Sequence, residues 1–296
     1  MNVAESWEFV GCNLCGSNSY EKACSYGDIQ IVKCSTCGLV YRNPRLKEAF
    51  SREFYGGKYY EKYNEIEETI SEARQALFRK ALQRLENSST ERTKRILDVG
   101  CGKGHFLKLA KESGWEVDGV ELSTSACEYG KNKLGITILN KSIEEARFKD
   151  NSFDAITLWN VFDHLPDPLI AAKIIRGALK EGGILMIRVP NANFHLLTHR
   201  FFNILPMSAK FKDPSIIVNY GFSSKTIKEM LQKAGFKKIK VENSPLSFGD
   251  PYKSFNVSEQ LTDKLKQVIY LTSNLIFYLS VKRFIAGSSM LVFARK

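Results

Sequence analysis

From Arg95 onward, short apolar runs alternate with stretches in which apolar residues recur every three or four positions. The runs Ile96–Val99, Glu116–Val120, Ile136–Leu139, Phe153–Trp159, Ile184–Val189, Phe236–Val241 and Ser289–Ala294 read as strands. Between them, Phe106–Glu112, Ser123–Leu134, Pro168–Leu179 and Ser224–Ala234 carry helical periodicity. Ser123 is an N-cap by residue type, and Asp167 stands before a proline at a first helical position. Glu181-Gly-Gly183 is expected to stop the third of these helices, and Pro190 to end the fifth strand. Strand and helix in strict alternation predict an α/β protein built on a doubly wound, parallel sheet.

Four stretches stand apart from the alternation. Residues 191–222 hold Pro206, Pro214, Gly221, several aromatics and no clear period; such insertions after a strand C-terminus build substrate caps. Glu65–Glu86 reads as a charged helix ended by Asn87-Ser-Ser-Thr90. Ahead of it, Phe54-Tyr-Gly-Gly-Lys-Tyr-Tyr60 crowds aromatics round two glycines, either to fold over a ligand or to pack two parts of the chain together. Near the C-terminus, Asn256-Val-Ser-Glu259 reads as a capping box opening a helix to about Val281. The expected division is an N-terminal module over 1–45, a connecting segment over 46–92 and the α/β domain over 93–296.

The N-terminal module is marked by cysteine. Cys12-Asn-Leu-Cys15 and Cys34-Ser-Thr-Cys37 are two C-x2-C pairs with 18 residues between them, the spacing of a zinc ribbon. Gly16 and Gly38 follow each pair where a knuckle turns back. Four thiolates fill a tetrahedral Zn²⁺ shell and leave no position for water, so the expected metal is structural. Cys24, Cys101 and Cys127 read as packing residues.

The candidate ligand cradle is Asp98-Val-Gly-Cys-Gly-Lys-Gly104, where strand, glycine turn and helix start follow one another. Glycines there permit positive φ and close approach, and the helix start presents free N–H groups. Dinucleotide enzymes favour G-x-G-x-x-G, but this turn reads G-x-G-x-G, with His105 where the third glycine would fall. Glu121 ends the second strand, where a carboxylate accepts hydrogen bonds from a ribose.

Taken in order, Asp98–Gly104, Gly119-Val-Glu121, Phe153-Asp154 and Leu179-Lys-Glu-Gly-Gly-Ile184 resemble the class I S-adenosylmethionine (SAM) methyltransferases. Phe222–Phe236 is similar to the late helix of their small-molecule branch, and the ribbon resembles that of zinc-binding members acting on sugars or other metabolites. The resemblance implies a seven-stranded Rossmann-like methyltransferase sheet. It implies Asp98, Gly100, Cys101, Gly102 and Gly104 round the methionine part of SAM, Glu121 on the ribose and Leu122, Ser142 and Ile143 by the adenine. It also implies Trp159 and Asn160 along the ligand's amino group.

His164 stands in the loop after the fourth strand, which faces the ligand crevice of such sheets, and an imidazole suits proton removal. It is the candidate base, with Asp163 and Tyr220 as candidate partners; the alternative is that His164 only fixes its loop. His195 and His199 read as packing or surface residues of the insertion.

Lys and Arg outnumber Asp and Glu by 43 to 32, a net charge of +11, with the excess concentrated between Arg200 and Lys240. The plainest reading is a solvated basic face, with nucleic acid an unlikely partner. The N-terminus has no signal-peptide pattern, and the apolar run Val268–Val281 is too short and polar to span a bilayer, so a soluble, cytoplasmic protein is expected. That last helix either caps the sheet, pairs two copies, or lies on a membrane surface. The leading function is methyl transfer to a small molecule such as a sugar nucleotide. The alternatives are an RNA methyltransferase with an RNA-binding ribbon, a non-catalytic SAM-fold scaffold and, more distantly, a NAD oxidoreductase.

Overall fold

The computed structural model describes residues 6–53, 70–86, 94–204, 217–245, 259–281 and 284–296. The aromatic segment 54–60, the helix stop at 87–90 and the capping box opening at Asn256 lie outside these residues.

The central sheet joins β6 (Lys94–Val99), β7 (Trp115–Val120), β8 (Phe153–Trp159), β9 (Leu179–Pro190), β11 (Lys237–Asn243) and β12 (Ser289–Arg295) in the order β11-β12-β9-β8-β6-β7. β6, β7, β8 and β9 are parallel, and β12 runs antiparallel between β9 and β11. Leu139 adds a parallel bridge to Val120 beyond β7, so the expected third strand is reduced to one bridged residue.

Helices cover both faces because the buried strands are apolar on both sides. On one face, α2 (Glu72–Glu86) and α3 (His105–Glu112) bury Phe78, Leu82, Phe106 and Leu109 against Ile96, Ala155, Ile184 and Met186. On the other, α6 (Pro168–Ala178) and α8 (Ser224–Lys233) bury Ala171, Ile175, Ile227 and Leu231 with Leu97, Ile156, Leu158 and Ile187. Among the described residues, side chains cap helix starts at Ser123 before α4 (Thr124–Tyr129), Ser142 before α5 (Ile143–Ala146), Asp167 before α6 and Ser223 before α8, among others. α4 runs on into a π-helical turn over Gly130–Leu134.

Two expectations are corrected. Glu181-Gly-Gly183 is not what stops the third helix: α6 ends at Ala178, and β9 starts at Leu179 and absorbs these residues as an irregularity. Phe153 faces Leu179, but Ala155 already faces Ile184. Nor is the insertion irregular from its start, since Ala192–Ile204 forms α7. Its far end, β10 (Tyr220–Gly221), leaves the central sheet altogether.

β10 instead pairs with the N-terminal module. The ribbon strands β2 (Tyr20–Tyr26), β3 (Ile29–Cys34) and β4 (Val40–Arg42) form an antiparallel sheet, and β10 adds beside β4 with Tyr220 opposite Tyr41. Ahead of it β1 (Trp7–Glu8) pairs with β5 (Arg45–Leu46), followed by the short α1 (Glu48–Glu53). Cys12, Leu14, Val32, Leu39 and Tyr41 belong to the same buried cluster as the α6 and α8 face. Asn13 accepts from the Leu169 N–H at the start of α6, and Lys233 at the end of α8 donates to the Leu14 carbonyl at 2.7 Å. Lys233, grouped with the solvated basic face in the sequence, is thus part of this seam. A last helix, α9 (Glu259–Leu279), lies against β11.

Candidate active site

The turn after β6 is forced by its glycines. Gly100, Gly102 and Gly104 take φ of 66, 55 and 85°, a region that L side chains rarely adopt. A Cβ at Gly100 would also stand 2.6 Å from a Val161 methyl, so the turn can close onto the β8 loop only without a side chain. Main-chain bonds from Gly100 and Cys101 to the Val120 carbonyl, at 2.8 and 3.2 Å, tie the turn to the end of β7.

Glu121 follows β7 directly and is buried. One carboxylate oxygen accepts from the Gly102 N–H at 2.9 Å, the other from the Ser123 N–H at 3.0 Å. The carboxylate is thereby fixed beside the glycine turn. Asn140 supports this corner by donating to the Glu121 and Leu122 carbonyls at 3.0 and 2.8 Å. Leu122 is half-buried beside it. Ser142 spends its hydroxyl on a capping box with Glu145, and Ile143 is buried in the core.

Asp98 sits behind the turn, buried, and accepts from the Thr157 hydroxyl at 2.6 Å. Burial, with the Glu121 carboxylate adding to it, pushes its pKa up to about 8 against the opposing effect of the Thr157 bond. Cys101 points inward, its sulfur packed against Gly119, and burial holds its thiol protonated. Cys24 and Cys127 are likewise buried in apolar clusters.

On the other side of the crevice β8 ends in Trp159 and Asn160. The Trp159 ring packs edge-on to Phe78 at 4.6 Å, and no described residue accepts from its buried Nε1–H. His105, first residue of α3, also has a buried Nε2 with no described partner. Burial, reinforced by Arg74, Lys103 and Lys108, lowers its pKa to about 4, so the ring is neutral at pH 7. Unmet polar atoms around a glycine turn suit a polar ligand. Asn160 has φ 56° and accepts from Arg188 at 2.7 Å. Arg188, buried on β9, also donates to the Ser244 hydroxyl at 3.0 Å. Sequence reasoning passed over Arg188, although a lone charge inside the apolar run Leu185–Val189 is itself a signal.

The loop 160–167 carries the proton-transfer candidates. His164 Nε2 lies 3.5 Å from the Asp163 carboxylate. Asp163 is buried, and burial raises its pKa, with His164 and Arg188 acting the other way. The loop's main chain is held from the insertion: the Asp163 carbonyl accepts from Asn219 and Tyr220 N–H groups, and Asn219 donates to the His164 carbonyl. Tyr220 does not join this pair through its side chain. Its buried hydroxyl donates to the Pro166 carbonyl at 3.1 Å and accepts from Arg45 at 2.9 Å, in the seam with the ribbon. His195 lies on α7 and bonds the Ser288 carbonyl at 3.0 Å, a packing role.

The four ribbon cysteines converge. Their sulfurs all lie within 4.8 Å of one another, with Cys12–Cys37 at 3.4 Å and Cys15–Cys34 at 3.5 Å. A Zn–S bond of about 2.3 Å in tetrahedral geometry needs sulfurs about 3.8 Å apart, so the set fits that ion. Both knuckles fold alike, with Gly16 and Gly38 at φ 78 and 80° and their N–H groups bonded to the Cys12 and Cys34 carbonyls.

Comparison with known proteins agrees with this geometry. A methyltransferase-domain family matches residues 70–241. A ubiquinone biosynthesis O-methyltransferase of Coxiella burnetii is 31% identical over 157 residues, which are 48% of this chain and 67% of that protein. A demethylmenaquinone methyltransferase of Staphylococcus aureus is 30% identical over 132 residues, 42% of this chain and 54% of that one. Among solved structures, a phosphoethanolamine N-methyltransferase of Haemonchus contortus in complex with SAM superposes with TM-score 0.53 at 21% identity, covering 87% of this chain and 62% of that one. The glycine turn, the carboxylate after β7 and the family match together make this chain a member of the methyltransferase-domain family, a class I SAM-dependent methyltransferase.

Proposed function

We propose that the chain moves the methyl group of SAM to a hydroxyl of a small-molecule acceptor, with His164 as the base. The observation that carries this reading is the Asp163–His164 pair, at 3.5 Å, in the loop that follows β8 at the crevice. SAM supplies an electrophilic methyl on a sulfonium. The chain's task is then to bind, align and take a proton from the attacking group. Asp163, buried behind His164, holds the imidazole in orientation, and the proton released by the acceptor oxygen passes to His164.

In this reading Gly100, Gly102 and Gly104 offer bare main chain to the methionine part, with Asp98 and Cys101 supporting the turn. Glu121 takes the ribose hydroxyls: a carboxylate accepts about four hydrogen bonds, so these add to the two main-chain bonds described. Leu122 and the Ser142–Ile143 corner flank the adenine, and Trp159 and Asn160 line the amino-acid end. The acceptor-side cap is assigned to the described part of the insertion that starts with α7. Cys12, Cys15, Cys34 and Cys37 hold a structural zinc, which is closed to chemistry because all four positions are thiolates. The names of the quinone-modifying relatives support an acceptor that is a small molecule rather than a polymer.

The test is turnover of isotopically labelled SAM against a panel of phenolic, enolic and sugar hydroxyl acceptors, with total RNA as a parallel substrate. Label should pass to at least one small acceptor. Transfer to RNA alone would overturn the reading, and so would a failure of the protein to bind SAM in calorimetry.

A further inference from the structure

α9 has two apolar faces, and the fold uses one. Phe277 is buried with Ser273, and Asn243 of β11 donates to the Ser273 carbonyl at 3.0 Å, which fixes the helix by that side. On the opposite side Val268, Leu271, Leu275 and Leu279 recur every three or four positions, so they form one stripe. All are exposed, Leu271 and Leu275 by 60% and 59% and Leu279 by 75%. The surface continues past the helix end through Val281, exposed by 78%, and Phe284. Scattered exposed leucines are ordinary, but a continuous row is not.

Charge identifies what covers the row. Residues 267–281 contain no charged side chain, while Lys264 and Lys266 precede them and Lys282 and Arg283 follow. No Asp or Glu occurs between 264 and 284. Two copies pairing in parallel through this stripe would set the Lys282–Arg283 ends against each other, and an antiparallel pair would set them against an end where Asp263 offsets only one of Lys264 and Lys266. An anionic lipid surface meets both features at once: acyl chains take the apolar stripe and headgroups take the basic ends. No helix among the described residues is long and apolar enough to cross a membrane, which leaves contact in the plane of the surface.

The buried side of α9, opposite the stripe, is linked by hydrogen bonds toward the crevice. Asn243, which holds α9, is followed by Ser244, the partner of the Arg188 that bonds Asn160. Beside α9, a groove of about 430 Å³ opens between it and α2, lined by Leu77, Ala81, Asn243, Tyr270, Phe277 and Phe293. We propose that α9 is a peripheral docking helix that seats the protein on an anionic phospholipid surface, with this groove beside the contact for the apolar part of a membrane-resident acceptor. The proposal rests on the small-molecule reading above and narrows it to acceptors carried by a membrane.

The experiment is flotation of the full chain with vesicles of phosphatidylcholine alone and with about one third phosphatidylglycerol, alongside SAM calorimetry and light scattering. The protein should float with the anionic vesicles and lose that binding at high salt. Leu271→Gln with Leu275→Gln should reduce the bound fraction at least about tenfold, as expected when two buried leucines are withdrawn from an apolar phase. Lys282→Glu with Arg283→Glu, a surface change kept in case the first variant fails to fold, should abolish the preference for anionic vesicles. SAM affinity should be unchanged in both; its absence from the parent protein would instead defeat the methyltransferase site reading. Three results would overturn the docking proposal: no flotation, equal flotation with neutral vesicles, or a parent dimer that the leucine variant splits into monomers.

Discussion

Arg45 donates to the Pro166 carbonyl at 2.5 Å and to the Tyr220 hydroxyl at 2.9 Å, so a residue next to the cysteine ribbon grips the far end of the loop that carries His164. Its Nε meanwhile pairs with Glu8 at 2.9 Å. The guanidinium therefore joins three separate stretches of chain, a use that suits the fixed fork of its donors. Arg45→Met should lower kcat by about tenfold or more, because hydrogen bonds to charged groups are worth about 1.5–3 kcal/mol and the loop loses one at Pro166, while Tyr220, which also holds Pro166, loses another. SAM affinity, measured by calorimetry, should stay within about twofold, since Glu121 and the glycine turn are untouched. A loss confined to SAM binding would contradict this assignment of Arg45.

Removal of His164 separates chemistry from binding. His164→Ala should bind SAM as the parent does but turn over at least roughly tenfold more slowly, the low end of general-base contributions. The deficit should shrink at alkaline pH, where the acceptor ionises without help. Equal turnover by parent and variant at neutral pH would remove His164 from the mechanism.

Glu121→Gln keeps the size of the side chain while removing its charge. The Gly102 and Ser123 N–H groups lose an ionised acceptor, and the ribose loses the same group. SAM affinity should fall roughly 10- to 100-fold, matching the loss of about 1.5–3 kcal/mol for a charged hydrogen bond. Isothermal calorimetry measures this directly, and a change below about threefold would move the ribose contact elsewhere.

Metal content tests the ribbon. Elemental analysis should find one zinc per chain, and prolonged chelation should lower the thermal midpoint. Because Leu14 and Tyr41 share the core of the α6 and α8 face, the loss should propagate into the methyltransferase fold and appear as one broadened transition. A chelated protein with the midpoint of the untreated one would rule out a structural metal.

His195 gives a pH signature. Burial lowers its pKa from 6.5 to about 4, against the bond to the Ser288 carbonyl. The unfolded chain therefore binds a proton in that window while the folded protein does not. The stability this provides is present above about pH 6.5 and is lost as pH falls toward 4. Thermal midpoints compared at pH 7 and pH 4.5 should drop less for His195→Gln than for the parent, and an equal drop would show that another group sets the acid sensitivity.

Much of this was legible along the chain. The alternation from Arg95, the glycine turn, Glu121 and the two cysteine pairs depend on neighbouring residues and local period, which are properties of sequence. So do the caps at Ser123 and Asp167, whose short side chains accept from N–H groups three residues on. What sequence could not supply was association across long separations. Arg45 and Tyr220 are 175 positions apart, and Leu14 and Lys233 are 219 apart. Only the folded chain turns Tyr220 and Gly221 into a ribbon strand and commits the Tyr220 hydroxyl to Arg45 and Pro166. The third strand was reduced to the Leu139 bridge for a similar reason: β propensity sets a tendency, while edge pairing sets the length. The sequence by itself marked the strands from Arg95 onward apart from the third, the glycine turn after the first of them, and the four cysteines whose sulfurs meet. The tertiary structure bound the ribbon to the loop that carries His164, because hydrogen bonds between distant segments exist only once packing has brought their ends within 3 Å or so of each other.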